Sequence, residues 1–389
     1  MAKNVRSNRV EMSDPRFMPS QLRPVVARNK LNRNDVLVTR TGANFGQAAP
    51  WKQDIEAFAC ADILVLREPS IPAGYLSSFL ESSKGKPLVL RGGYGAGQPH
   101  IAPPYLADML IPRFGPLERR VDAVVERSVE MEVEAASTVK AAEEVLLTAL
   151  GLADWTPPEP LAYTARALDV FASGRFDARF FAPRIQALLD LLSVNGRTIA
   201  AVADPRREKF RPTACAAFNY IEISDIDGAG AATSTRLASE DAPSRATWHV
   251  RAGDIITSTV RPIRRLSAQI TPEQEGFVCS SGFVVVTPSD IAPEVLLTYL
   301  RLPVICELLD LFASASMYPA ITDADIFNLP LPHIPDAVAD QVTRNVIAAK
   351  AAKARAASML EVAKRAVEIA IEDAEPAAMA YLDQAEGAI

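Results

Sequence analysis

Cysteine is scarce in this chain, and the four present (Cys60, Cys215, Cys279, Cys306) are scattered with no CxxC pair. That spacing suggests neither a zinc site nor a disulfide framework. Histidine is scarcer still: His100, His249 and His333 are far apart, and His333 sits at a turn before a helix, where a structural role is expected. Long apolar runs are missing, none reaching the ~18 residues of a membrane span. The opening MAKNVRSNRVEMSD lacks the apolar stretch of a secretory signal. A cytoplasmic protein is the expectation. Basic excess is also lacking overall, because 41 Lys and Arg face 47 Asp and Glu for a net charge of −6.

Recognisable catalytic patterns are equally thin. The stretch RGGYGAGQPHIAPPYL (91–106) is rich in glycine and follows an apolar PLVL, as a nucleotide-binding loop would. Its spacing does not fit GxGxxG, and no lysine follows as in a P-loop. Its PPY resembles part of an adenine methyltransferase site, but Ala102 stands where that chemistry needs Asn or Asp. DPRREK (204–209) hints at nuclease carboxylates, yet reads better as a solvated basic loop carrying Arg206, Arg207 and Lys209. No serine lies in a GxSxG elbow. No catalytic, cofactor-binding or metal-ligating residue is assigned, and the chain is not expected to be an enzyme.

What the chain does contain is itself, twice. NDVLVTR (34–40) matches GDIITST (253–259), and FACADILVL (58–66) falls without a gap on FVCSSGFVV (277–285), aligning Cys60 with Cys279. After one inserted residue, YLSSFL (75–80) falls on VLLTYL (295–300), and IAPPYLADMLIP (101–112) on ITDADIFNLPLP (321–332). Upstream, VEMSD (10–14) resembles IEISD (221–225). A nearly constant offset over this length indicates a duplicated domain. The second copy is preceded by FDARFFAPRIQALLDLL, which reads as a helix, and by GRTIAAVADPRREKF. The first copy has no room for equivalents, so either its opening portion is lost or the start codon is assigned too late.

Within each copy short β-type runs (DVLVTR, DILVLR, GDIITSTV, FVVV) alternate with helical stretches. GYLSSFLESS and PEVLLTYLRLPVICELLDLFA read as helices, the second opened by Pro293. Each copy then runs into a long helix. Leu117, Val121, Val124, Ser128, Met131, Ala135, Thr138, Ala142, Val145 and Ala149 keep 4-3 spacing, as do Val338, Val342, Asn345, Ala349, Ala352, Ala356, Met359, Ala363, Ala366 and Ala370. That is a coiled-coil seam. The two helices are expected to pair antiparallel as a rod of roughly 50 Å.

The fold class is therefore α+β, with two pseudo-symmetric domains joined by a two-helix antiparallel coiled coil. The expected divisions are a first domain over 1–115, a helix over 116–151 and a linker over 152–175. A second domain over 176–335, a helix over 336–375 and a tail over 376–389 follow.

Charge is distributed unevenly: residues 1–53 hold ten Lys or Arg against three acids, and local charge is what a phosphate backbone feels. The equivalent strand exits VTRTGANFGQ and TSTVRPIRR supply Thr39, Arg40, Thr41, Asn44 and Gln47, and Thr257, Ser258, Thr259, Arg261, Arg264 and Arg265. A second recurring loop supplies Arg91, Tyr94, Gln98 and His100 in one copy, and Ser314, Ser316 and Tyr318 in the other. Arg can take guanine bidentately, Asn or Gln can take adenine, and Ser or Thr contact phosphates. With Arg206, Arg207 and Lys209, these are the candidate DNA-binding residues.

FDARFFAP (176–183), AGDIITS (252–258) and YPAITDADIFNLPLPHIPDAVADQV (318–342), with its Gln341, resemble the DNA specificity subunit of type I restriction-modification systems. In the first copy QPHIAPPYLADMLIPRFGPLERRV is a degenerate version of that junction, with Glu118 in the position of Gln341. The resemblance implies two target-recognition domains reading the halves of a bipartite site in double-stranded DNA. It also implies helices that dock two methyltransferase subunits, with a restriction motor subunit joining for cleavage. S-adenosylmethionine, ATP and Mg would belong to those partners, and no cofactor to this chain. The alternative is a non-catalytic coiled-coil scaffold that binds protein partners without DNA.

Overall fold

The structure, a computed structural model, describes residues 1–389 except Ser13, Asp14, Ala43, Ala96, Gln98, Asn195, residues 314–319 and Ile389. The chain divides into two compact units: residues 1–136 with 349–389, and residues 137–348. In chain order the first half carries strands β1 (Val5–Arg6) and β2 (Arg9–Val10), helix α1 (Arg23–Val26), and strands β3 (Val36–Thr39), β4 (Ala48–Pro50) and β5 (Ile63–Leu66). Helices α2 (Ala73–Glu81) and α3 (Gly85–Arg91), hairpin β6 (Gly93–Tyr94) and β7 (His100–Ile101), α4 (Pro103–Ala107) and the long α5 (Pro116–Ala149) complete it. Then come α6 (Ala167–Ser173), α7 (Pro183–Leu192), β8 (Ala203–Pro205), β9 (Ala217–Ile221), β10 (Thr235–Ala238) and β11 (Ala246–His249). They are followed by β12 (Ile255–Ser258), β13 (Ser267–Gln269), β14 (Val278–Ser280) and β15 (Phe283–Pro288). Last are α8 (Pro293–Arg301), α9 (Pro303–Phe312), α10 (Asp323–Phe327), the long α11 (Asp336–Glu372) and α12 (Glu375–Ala388).

Each unit is built on an antiparallel sheet that opens with the same three strands. In the first unit the order is β4–β3–β5, with Val36 opposite Pro50 and Leu66. In the second it is β13–β12–β15–β8, with Ile255 opposite Gln269 and Val286. Equivalent residues are offset by 219 up to β4 and by 220 from β5 onward. Alternation along β3 sends Val36 and Val38 to the helical side and Leu37 to a second cluster with Ala49, Trp51 and Val5. In β12, Ile255 joins the helical cluster, whereas Ile256 packs with Ala268, Ile221 and Cys279.

The register moves the inserted residue. Leu31 N–H donates to Ala57 O at 2.9 Å, and its counterpart Val250 N–H donates to Phe277 O at 3.0 Å. The extra residue therefore lies in the loop after β13, ahead of these contacts, and Ala59 rather than Cys60 corresponds to Cys279. A gap inside the strand would have sent its apolar side chains to the wrong face, so the insertion is accommodated in the loop. VEMSD and IEISD also part company: Val10 pairs with Val5 in a hairpin, while Ile221 lies parallel to Cys279 in the sheet β10–β9–β14–β11.

Several local expectations are revised. PLVL, the apolar stretch ahead of the glycine cluster, lies in helix α3, with Pro87 in the first turn, where a missing N–H costs no helical bond. The long helix expected from Pro293 is two helices, because Pro303 removes a donor and holds Leu302 extended at φ −58°, ψ 133°. Helix α7 begins only at Pro183, so FDARFFA precedes it. Residues 375–388 form α12, where a tail was expected.

The long helices bury their small-residue stripe. Leu117, Val121 and Val124 lie in one cluster with Leu360, Ala363, Val367 and Leu382. Leu117 N–H donates to Glu375 Oε1 at 3.0 Å, and Ser128 Oγ donates to Ala356 O at 2.9 Å, so the segments run antiparallel in the first unit. In the second unit Ala142 and Leu146 share a cluster with Val342 and Val346. Here the buried stripe has drifted: Leu146 and Leu150 are buried, whereas Ala149 is exposed. Such drift is what a 3.6-residue turn imposes on a 3.5-residue repeat. Glu118, given the place of Gln341 in the alignment of the two copies, is buried two residues into α5 against Arg113; because α5 and α11 begin 220 residues apart, its equivalent is Val338 instead.

Candidate nucleic-acid interface

Strand β3 leaves its sheet through residues 40–47, and the threonines of that exit face inward. Thr39 Oγ1 donates to the Asn44 carbonyl and accepts from Gln47 N–H at 2.8 Å. Thr41 is buried and donates to Asp62 Oδ1 at 2.9 Å. Both shape the loop rather than presenting a hydroxyl to a ligand. Arg40 O accepts from Ile101 N–H at 3.3 Å, which ties the exit to the β6–β7 hairpin. There Tyr94 is exposed, its ring centroid 6.1 Å from that of His100. Gly93 backs onto Phe45 so closely that a Cβ would lie 2.8 Å from the Phe45 ring. Arg40, Asn44, Tyr94 and His100 are thus brought into one loop cluster, with exposed Arg91 at the end of α3 beside it. Arg40 Nε and Gln47 Oε1 are buried without a partner among the described residues, unusual for native polar groups. Gln98 lies outside the described residues.

The exit of β12 is built alike, since Ile321 N–H donates to Thr259 O at 2.9 Å and Val260 bridges Ala320. Thr257 and Ser258 are buried, Ser258 Oγ donates to Val260 O at 3.0 Å, and Thr259 Oγ1 donates to Gly282 O at 3.0 Å. The three arginines then diverge. Arg265 is engaged internally: its Nε donates to Arg301 O at 2.6 Å and its guanidinium pairs with Glu143 of α5. Arg301 returns a bond to Arg265 O at 2.8 Å, and burial pushes its pKa below the ordinary arginine value. Arg261 and Arg264 are exposed, with no partner among the described residues. Ser314, Ser316 and Tyr318 lie outside the described residues.

DPRREK is only partly a solvated loop. Arg206 makes a two-pronged ion pair with buried Asp254, at 2.6 and 3.2 Å, and so anchors β12. Arg207 is exposed and pairs with Asp323 at 3.1 Å, placing it at the start of α10. Lys209 is exposed and its backbone bridges Trp248.

Other exposed cations were not among the candidate DNA-binding residues. Arg236 stands opposite Asn219 on the second sheet, and Arg211 and Arg245, the latter in a turn, are also exposed. In the first unit residues 15–34 hold Arg16, Arg23, Arg28, Lys30 and Arg33 without an acid, and Phe17 in the same segment is 92% exposed. Arg23 reaches Glu56 at 2.5 Å and Arg33 reaches Asp54 at 3.1 Å. The basic excess of residues 1–53 was the signal for this segment, but no motif marked it. Among the described residues no group of three or more His, Cys, Asp or Glu is placed to hold a metal ion. No helix among them is long and apolar enough to cross a membrane.

The class these features define is a mixed helix-and-strand protein whose recurring sheet exits carry surface arginines beside long helices. Solved structures similar to it include type I restriction-modification specificity subunits. The HsdS subunit from Thermoanaerobacter tengcongensis is 30% identical over 45% of this chain and 45% of that one, with a TM-score of 0.34. The match therefore spans less than half of that subunit. A structure described for complex assembly and conformational transition of the type I R-M system is 20% identical over 92% of this chain and 82% of that one, TM-score 0.29. The type I restriction-modification S subunit from M. genitalium is 11% identical over 86% and 81%, TM-score 0.37. No protein-family model matches the chain, and no curated protein aligns with it significantly.

Proposed function

We propose that the chain is the DNA specificity subunit of a type I restriction-modification complex, a non-catalytic protein of the cytoplasm. Each unit would read one half of a bipartite site in double-stranded DNA, and the long helices would dock two methyltransferase subunits. A restriction motor subunit would join for cleavage. S-adenosylmethionine, ATP and Mg would be held by those partners. The observation that carries this reading is the recurrence, at an offset of 219 to 220 residues, of a sheet exit tied to a second loop that leads into a long helix. The exit of the second copy exposes Arg261 and Arg264, and that of the first carries half-buried Arg40 and Asn44, arginine and carboxamide groups of the kind that read base edges.

Salt tests it. With six or more phosphate contacts, affinity for duplex DNA falls about a thousandfold or more between 50 and 200 mM salt. A flat response would instead support a coiled-coil scaffold for protein partners. Co-expression with neighbouring methyltransferase subunits should yield a complex that deposits a bipartite N6-methyladenine mark, lost when this chain is deleted. Methylation or cleavage of DNA by the purified chain alone would overturn the non-catalytic assignment.

A further inference from the structure

The two sheet exits share an unusual backbone but not the residues that adopt it. In the first unit the left-handed positions are Gly42 (φ 90°) and Gly46 (φ 76°). At the same offset in the second unit they are Arg261 (φ 51°) and Arg265 (φ 59°). Glycine takes such angles without a steric cost, whereas a side chain with a Cβ is strained there. Arg261 is doubly disfavoured, because Pro262 follows it and the residue before a proline is restricted to extended conformations. Non-glycine residues held in this region cluster where their side chains have a task.

For Arg265 the task is visible inside the chain. Its guanidinium spans Glu143 and the Arg301 carbonyl, and Arg301, buried at 4% exposure, clamps Arg265 O, Ser267 O and Gly228 O in return. This network fixes the C-terminal end of the exit. Arg261 sits at the other end with an exposed side chain and no partner among the described residues. Buried Pro262 holds the backbone between them.

We propose that Arg261 is a DNA-contacting residue of the second unit, set in a strained conformation by a scaffold in which Arg265, Arg301 and Glu143 are positioning residues. This rests on the DNA-binding reading above and names the contact within it. The ligand chemistry is a pair of acceptor oxygens or nitrogens facing a guanidinium, as on a guanine edge or a phosphate.

The test uses the full chain and three variants, with duplexes that the wild-type protein selects from a randomised pool. Arg261→Ala should leave the melting temperature unchanged, since no contact with the described residues is lost, while weakening binding on the order of tenfold. Arg261→Gly should bind as weakly as the alanine variant but melt higher than it, by roughly 2–4 °C, because the left-handed strain is released. Arg265→Ala should lower both melting temperature and affinity. A loss confined to one base pair of the selected site identifies a base edge, and a uniform loss with a shallower salt slope identifies a phosphate; either outcome supports the proposal. Unchanged affinity in both Arg261 variants overturns it, as does a melting loss in Arg261→Ala equal to that of Arg265→Ala. If the wild-type chain selects no duplex, the DNA-binding reading itself has failed, and with it the ligand assigned to Arg261.

Discussion

Replacing Asp254 by alanine should cost the second unit more than the equivalent change at Asp35 costs the first. Both carboxylates are 1% exposed and occupy equivalent places ahead of their strands. Asp254 accepts from Arg206 Nε at 2.6 Å and Nη2 at 3.2 Å, from Arg251 N–H at 2.8 Å and from Thr287 Oγ1 at 2.7 Å. Its removal strands a guanidinium whose side chain is 26% exposed, together with an amide and a hydroxyl. Breaking a buried pair in this way costs roughly 3–5 kcal/mol, and partial hydration of Arg206 favours the lower end, about 3 kcal/mol. For a unit of this size that lowers Tm by roughly 6–12 °C.

Asp35 accepts one contact from Arg67 at 3.2 Å and one from Asn32 N–H at 2.9 Å, while its Oδ1 has no partner among the described residues. Arg67 is 39% exposed and recovers water when released, so about 1–2 kcal/mol is expected there. Denaturant titration read through native-state hydrogen exchange separates the two, by following the amides of β12 and of β3. An Asp254→Ala cost below about 1 kcal/mol, or one no larger than that of Asp35→Ala, would refute this account of the sheet anchors.

Two further outcomes follow from the same geometry. Glu132 on α5 has its pKa raised by burial, partly offset by Arg9, so the fold favours its protonated form. Its contribution is then complete below the unfolded pKa and lost as pH rises through the folded one. Glu132→Gln should be at least as stable as the wild type at pH 7, and the wild type should gain on it as pH falls toward about 4; melting curves at the two pH values decide, and a less stable glutamine variant at pH 7 contradicts it. At Gly92 a Cβ would lie 2.3 Å from the Tyr105 ring, whose hydroxyl is fixed to Leu88 O at 2.7 Å. Gly92→Ala should therefore destabilise the first unit by about 1–3 kcal/mol in denaturant titration, and a neutral effect would show that the ring moves freely.

Much of the sheet was legible in sequence because β3 and β12 are buried on both faces, and their apolar runs survive in both copies. The long helices were legible from their spacing over many turns. What escaped depended on tertiary context. PLVL has strand-like composition but opens with Pro87 in the first turn of α3 and runs into the glycine turn that ends that helix. The displaced insertion could not be located by matching the cysteines, because hydrogen-bond register, not residue identity, decides which neighbour fills the space at Cys279.

The candidate site was legible in outline only. A loop rich in Arg and Thr announces polar chemistry, but sequence cannot tell which groups the fold consumes. Thr39, Thr41, Ser258, Arg206 and Arg265 are spent on internal bonds, whereas Arg261 and Arg264 remain outward. The cations of residues 15–34 lay in a segment with no strand or helix pattern strong enough to place them.

The first unit draws residues 349–389 from the far end of the chain, whereas the second is contiguous over 137–348. On a ribosome this sets an order of events. The faces of Leu117, Val121 and Val124 emerge early, but the Leu360, Ala363 and Val367 that cover them arrive only after roughly 200 further residues, about 10–40 s at ordinary synthesis rates. The second unit can close during that interval, while the first waits with an apolar helix face uncovered. Chaperone demand during synthesis should therefore fall on the segment made first.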